Sequence, residues 1–93
     1  MTTACARHIL VSTEEQALEL KNRIAAGEEF AALAAEYSSC PSGARGGDLG
    51  EFRPGQMVQE FNDVCFNDEV GVVHGPVRTR FGYHLIEVTN RTD

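Results

Sequence analysis

The sequence predicts an α+β fold in which an antiparallel sheet of about four strands carries packed helices. Two observations lead there. The apolar pattern switches between a period of two and helical spacing, in the order strand, two helices, strand, helix, strand, strand, which mixes both element types around one core. The length, 93 residues, fits one domain with a modest core.

Cys5–Val11 is a short run of β-formers and reads as the first strand. Ala6, His8 and Leu10 share one face, and Arg7, Ile9 and Val11 the other. Both faces are mainly apolar, so both are expected to be covered. Ser12 and Thr13 offer N-cap oxygens, with Glu15 and Gln16 at capping-box spacing. The first helix then runs to about Ala26, with Ala17, Leu20 and Ile24 on one stripe, and Gly27 suits the position just past its end. A second helix starts near Glu28. Its Phe30, Leu33, Ala34 and Tyr37 fall on one helical face and belong to the core.

Residues 40–61 hold five of the nine glycines and two of the three prolines. Leu49, Met57 and Phe61 in this stretch are too apolar for a solvated linker, so it reads as a shaped loop forming one wall of a pocket. Within it, 38–47 is irregular with at most one helical turn, 48–52 is a short strand, and Arg53-Pro54-Gly55 turns. Met57 to Phe66 then follows helical spacing. Val72 to Thr79 reads as a strand; Pro76 lacks an N–H, which places it at an edge or a strand start. Tyr83 to Thr89 is the last strand, with His84, Ile86 and Val88 on one face. The tail, Asn90–Asp93, is expected to fray.

The net charge of −6 and the scattered basic residues argue against nucleic acid as a partner. No apolar run approaches the ~20 residues of a membrane span. The first residues lack the pattern of a signal peptide. Three cysteines without a Cys-x-x-Cys pair argue against a disulfide framework. These features together suggest a cytoplasmic protein.

His8 and His84 lie mid-strand among apolar neighbours. If the first and last strands pair, the imidazoles could sit side by side and fix each other's tautomer; otherwise each is a core histidine satisfied locally. Cys40 opens the glycine-rich loop and is either a small packing residue or a polarised thiol. Cys5 and Cys65 read as packing residues, and His74, before a Gly-Pro turn, as a surface imidazole. His8, Cys40 and His84 match no zinc spacing, so no metal is expected. Met57, Phe61 and Phe81 are core or the lining of an apolar site. Gly46-Gly47-Asp48 has no following Gly-Lys-Ser/Thr, and a phosphate loop is set aside.

His-Ile-Leu-Val at 8–11, Cys-Pro-Ser-Gly-x-Arg-Gly-Gly-Asp-Leu-Gly-x-Phe at 40–52, Gly-Gln-Met-Val-x-x-Phe at 55–61 and Thr-x-Phe-Gly-Tyr-His at 79–84 resemble the parvulin family of peptidyl-prolyl cis/trans isomerases. The resemblance runs through residues 4–90, most like small single-domain prokaryotic parvulins. It implies a four-stranded antiparallel sheet flanked by about four helices, on both sides, with residues 1–93 one domain. It further implies catalytic roles for His8, Cys40, His84 and Thr79, and a proline-binding pocket of Leu49, Met57, Phe61 and Phe81. No cofactor is implied. The partners would be proline-containing or unfolded polypeptides met by a monomer, without nucleic acid or membrane, and the activity would assist protein folding. The same cleft could instead serve a peptide-binding chaperone module without turnover. The departures from the family pattern are Val72, where a glutamate is common, and His74, where a small polar residue is common. Both fall in the turn into the third strand. The connection Ser12-Thr13-Glu14-Glu15 is short and acidic, so no requirement for phosphoserine or phosphothreonine before proline is expected, and an apolar residue there should be favoured.

Overall fold

The computed structural model describes residues 2–92. Strands β1 (Thr3–Val11), β2 (Asp48–Phe52), β3 (Val73–Thr79) and β4 (Gly82–Thr92) form one sheet in the order β2-β1-β4-β3, with every pairing antiparallel. Helices α1 (Glu14–Ala25), α2 (Phe30–Tyr37) and α3 (Gln59–Asn67) pack on it, and Pro41–Arg45 forms a 3-10 helix. The flanking helices thus number three, plus this shorter turn. Among the described residues no helix is long and apolar enough to cross a membrane.

Strand alternation divides the core. On one face Ile9, Val11 and Leu85 meet Ala17 and Leu20 of α1 and Phe30, Leu33 and Ala34 of α2. On the other, Ala4, Ala6, Ile86 and Val88 meet Phe61, Val64 and Cys65 of α3, with Phe52 beside them. Both faces of the central strands β1 and β4 are covered, as their apolar runs require. Arg7, the polar member of the first face, pairs with Glu87 and lies over the Phe30 ring at 4.6 Å.

Local chemistry sets the helix starts. Thr13 Oγ1 accepts from the Gln16 N–H at 3.2 Å and caps α1, whose first turn carries Glu14 and Glu15. Gly27, at φ 110°, takes the left-handed turn after it. The third helix begins at Gln59, so Met57 precedes it instead of lying within it; Val58 occupies the cap. Pro76 sits in β3, an edge strand, at an irregularity between His74 and Val77. The expected fraying of 90–92 is overturned: β4 continues to Thr92, where Asn90, Arg91 and Thr92 pair with Cys5, Ala4 and Thr3. Arg91 Nη1 also donates to the carbonyls of Cys65 and Asp68, which ties this end to α3. Asp93 lies outside the described residues.

Candidate functional site

The register of β1 on β4 places Leu10 opposite His84 and Ile86 opposite His8. The two histidines are therefore diagonal neighbours on one face, a separation that long side chains bridge. His8 Nδ1 and His84 Nδ1 are 3.0 Å apart, and the rings stack at 16°. Both residues are buried, at 5% and 3% exposure. Thr79, at the end of β3, places Oγ1 2.7 Å from His84 Nε2 and accepts the Phe81 N–H at 3.1 Å.

Only one proton fits between the two Nδ1 atoms. If the Thr79 hydroxyl donates to His84 Nε2, then His84 carries its proton on Nδ1 and donates to His8, which is protonated on Nε2. That arrangement leaves one group, His8 Nε2, without a partner among the described residues. The reverse arrangement would leave the Thr79 hydroxyl proton unpaired as well, so the first is favoured. Burial pushes the His8 imidazole down to about 4, with the neighbouring His84 as a second cause. Burial also lowers His84, opposed by the charge of Glu60. At neutral pH the pair is uncharged.

Phe61 stands edge-on to both rings, at 5.4 Å from His8 and 5.7 Å from His84. Its position follows from α3, where it shares a buried stripe with Val64 and Cys65. Phe61 and the histidines border a cavity of about 510 Å³. Leu49 of β2, Met57 and Phe81 add to its apolar lining, and Cys40 lines it beside Pro41. Seven of the eight residues singled out in the sequence thus surround one cavity. Thr79 lies behind it and reaches the site through His84.

The Cys40 loop is clamped to the end of β1. Ser38 Oγ accepts from the Leu10 N–H at 3.1 Å and the Cys40 N–H at 3.3 Å, and the Ser39 N–H donates to the Leu10 carbonyl at 2.8 Å. The buried Ser42 hydroxyl donates to Cys40 Sγ at 3.3 Å. Farther along, the His8 N–H donates to the Gly47 carbonyl at 3.0 Å. Sequence reasoning passed over Ser38 and Ser42, because serines in a polar loop carry no signal until their partners are known. It also missed Leu10, Gln56 and Arg80, which line the cavity. The other thiols and the third histidine lie elsewhere. Cys65 is buried in the core, and burial pushes its thiol up to about 12, with Arg91 opposing and Asp68 adding to the effect. Cys5 is half-buried on β1. His74 is half-buried, and its Nε2 donates to the Glu69 carbonyl at 2.7 Å.

The model of the rotamase family, described as a PPIC-type PPIase domain, matches residues 8–90. A foldase protein PrsA of a Geobacillus species is 49% identical over 89 residues, which cover 95% of this chain and 32% of the relative. The chain therefore spans about a third of the length of that curated relative. The crystal structure of the peptidylprolyl isomerase PrsA from Bacillus anthracis superposes with a TM-score of 0.95 at 38% identity, covering 99% of this chain and 43% of that one. The solution structure of the parvulin of Nitrosopumilus maritimus gives a TM-score of 0.86 at 37% identity, covering 97% and 98% of the two chains.

Proposed function

The chain belongs to the PPIC-type peptidyl-prolyl isomerase (parvulin) family, and we propose that its cavity catalyses cis/trans isomerisation of X-Pro bonds in polypeptides without a covalent step, assisting their folding. The observation that carries this reading is a neutral, buried histidine pair edge-on to Phe61 in the lining of an apolar cavity.

An X-Pro bond exchanges over ~10–100 s unaided, because rotation breaks amide resonance. No covalent bond has to be cleaved. In the twisted transition state the carbonyl oxygen carries less negative charge than in the planar ground state. A site favouring the twisted form should hold the proline ring, strip water from the carbonyl and offer it no cation. Phe61, Met57 and Leu49 supply apolar surface for the ring. The histidines, held uncharged by burial, avoid stabilising the planar dipole. Cys40 lies where its sulfur can shape the field at the carbonyl, and nothing in this chemistry requires it to attack.

A mainly apolar lining with a single arginine supports substrates with an apolar residue before proline over phosphorylated ones, since a phosphate dianion is best received by paired arginines. A protease-coupled assay on a short Leu-Pro peptide and its phosphoserine-Pro counterpart tests both points. Catalysed isomerisation with the Leu-Pro peptide preferred is expected. Rates at the uncatalysed value would leave a peptide-binding module, and faster turnover of the phosphopeptide would refute the preference.

A further inference from the structure

A second cavity, about 500 Å³, adjoins the first and shares with it the wall of Gln56, Met57 and Val58 together with Arg80. The character of the two spaces differs. The first contains no carboxylate in its lining and one permanent cation, Arg80, since its histidines are neutral. The second has Arg80 as its one cation and Glu60 as its one carboxylate.

Arg80 is exposed, and its guanidinium carbon lies 4.9 Å above the Phe81 ring, which steadies the side chain at the junction of the two cavities. Among the described residues it forms neither a side-chain hydrogen bond nor an ion pair. Four of the other seven basic side chains are engaged, Arg7 with Glu87, Arg23 with Glu28, Lys21 with the Gly75 carbonyl and Arg91 with two carbonyls; of the remaining four, Arg80 alone lines the two cavities. A fork of donors with its face occupied and its edge free is suited to a carboxylate.

From this we infer that Arg80 is a specificity-determining residue, selecting polypeptides with an acidic side chain on the residue after proline. The inference rests on the isomerase reading for the position of the proline. With the ring in the first cavity against Leu49, Met57 and Phe61, a chain that continues across the shared wall passes Arg80, and the residue after proline is the first it presents there. Glu60, which lines the second cavity and not the first, disfavours anions there, so the recognised group is a single carboxylate held at the junction.

The test uses Leu-Pro peptides followed by Glu, Gln or Lys, with wild type, Arg80→Gln and Arg80→Glu. Both kcat/KM and, from NMR shift titration, Kd are measured. In wild type Glu should exceed Gln by roughly two- to five-fold, the size an exposed ion pair produces, with Lys lowest. The order should flatten in Arg80→Gln, reverse in Arg80→Glu, and shrink as salt is raised. Equal constants for the three peptides in wild type, or an order that persists unchanged in the variants, would overturn the inference. Turnover without this order refutes the subsite alone. The order seen in Kd without any turnover upholds the subsite and refutes the isomerase reading.

Discussion

At the scale of single residues, the site separates groups that set a field from groups that hold a ring. His84 donates to His8 through Nδ1 atoms 3.0 Å apart, Thr79 fixes the outer nitrogen of His84, and Ser42 steadies the sulfur of Cys40. Phe61, 3% exposed, fills the space beside both imidazoles. This division predicts the behaviour of variants. Cys40→Asp and Cys40→Ser should each lose no more than about tenfold in kcat/KM, ~1.4 kcal/mol of barrier, because no attack by sulfur is required. Phe61→Ala should lose more, since it removes the apolar surface that holds the proline ring and opens the histidine pair to water. Steady-state kinetics on variants shown by circular dichroism to be folded provides the comparison. Removing a covalent nucleophile would lower turnover by orders of magnitude in both cysteine variants, and that pattern would return the thiol to a covalent role.

At the scale of elements, the loop 38–47 positions Cys40 by closing on β1. Gly47 is the contact point: it has φ 85°, and a Cβ there would lie 2.3 Å from the His8 carbonyl oxygen, a contact that cannot be accommodated without moving the loop or the strand. Gly50 has a similar φ of 72° but nothing within 4 Å of such a Cβ. Gly50→Ala should therefore cost about 1–2 kcal/mol, the cost of a left-handed residue, and Gly47→Ala distinctly more. Urea denaturation of the two variants measures the difference; equal losses would mean that the loop is not pinned at His8.

The elements also explain what was legible in the sequence. Apolar runs of β-formers at 5–11 and 83–89 exposed β1 and β4, because both strands are buried on both sides, and the period of two gave their histidine faces. The stripe Phe30, Leu33, Ala34 and Tyr37 exposed α2. The run Thr89-Asn90-Arg91-Thr92 is polar and gave no such signal; it is a strand because Thr3–Cys5 pairs with it. Met57 shares the spacing of α3 but ends in the turn before it, where Gly55 N–H donates to Asn62 Oδ1 at 2.8 Å. The diagonal meeting of His8 and His84 needed the register, which depends on chain pairing and not on local pattern. Thr79 came only through family resemblance, Ser38 acts through Leu10, a partner distant in sequence, and the places of Ser42 and Arg80 follow from how their loops fold against the cavity.

At the scale of the whole molecule, the buried histidines couple stability to pH. The His8 imidazole is depressed from an ordinary value of 6.5 to about 4, chiefly by burial. Between those values the unfolded chain binds the proton and the folded one does not. The associated stability is therefore complete above about pH 6.5 and is lost as pH falls toward 4, amounting to about 3 kcal/mol for His8. His84 acts in the same direction. Urea midpoints followed from pH 7 to ~4.5 should fall steadily, and His8→Gln should reduce the slope by about one proton, ~1.4 kcal/mol per pH unit. A flat profile in wild type would show that the histidines are charged or solvated in the folded state.

The same molecule-wide arrangement, an apolar cavity with an uncharged histidine pair in its lining, carries the central claim that rotation about X-Pro is catalysed by the cleft. Exchange NMR on a Leu-Pro peptide, with separate cis and trans signals and a small amount of protein, tests it most directly. Exchange should quicken in proportion to wild-type protein and lose most of that gain with Phe61→Ala. Cis and trans signals that shift on binding but interconvert no faster than in the free peptide would contradict it.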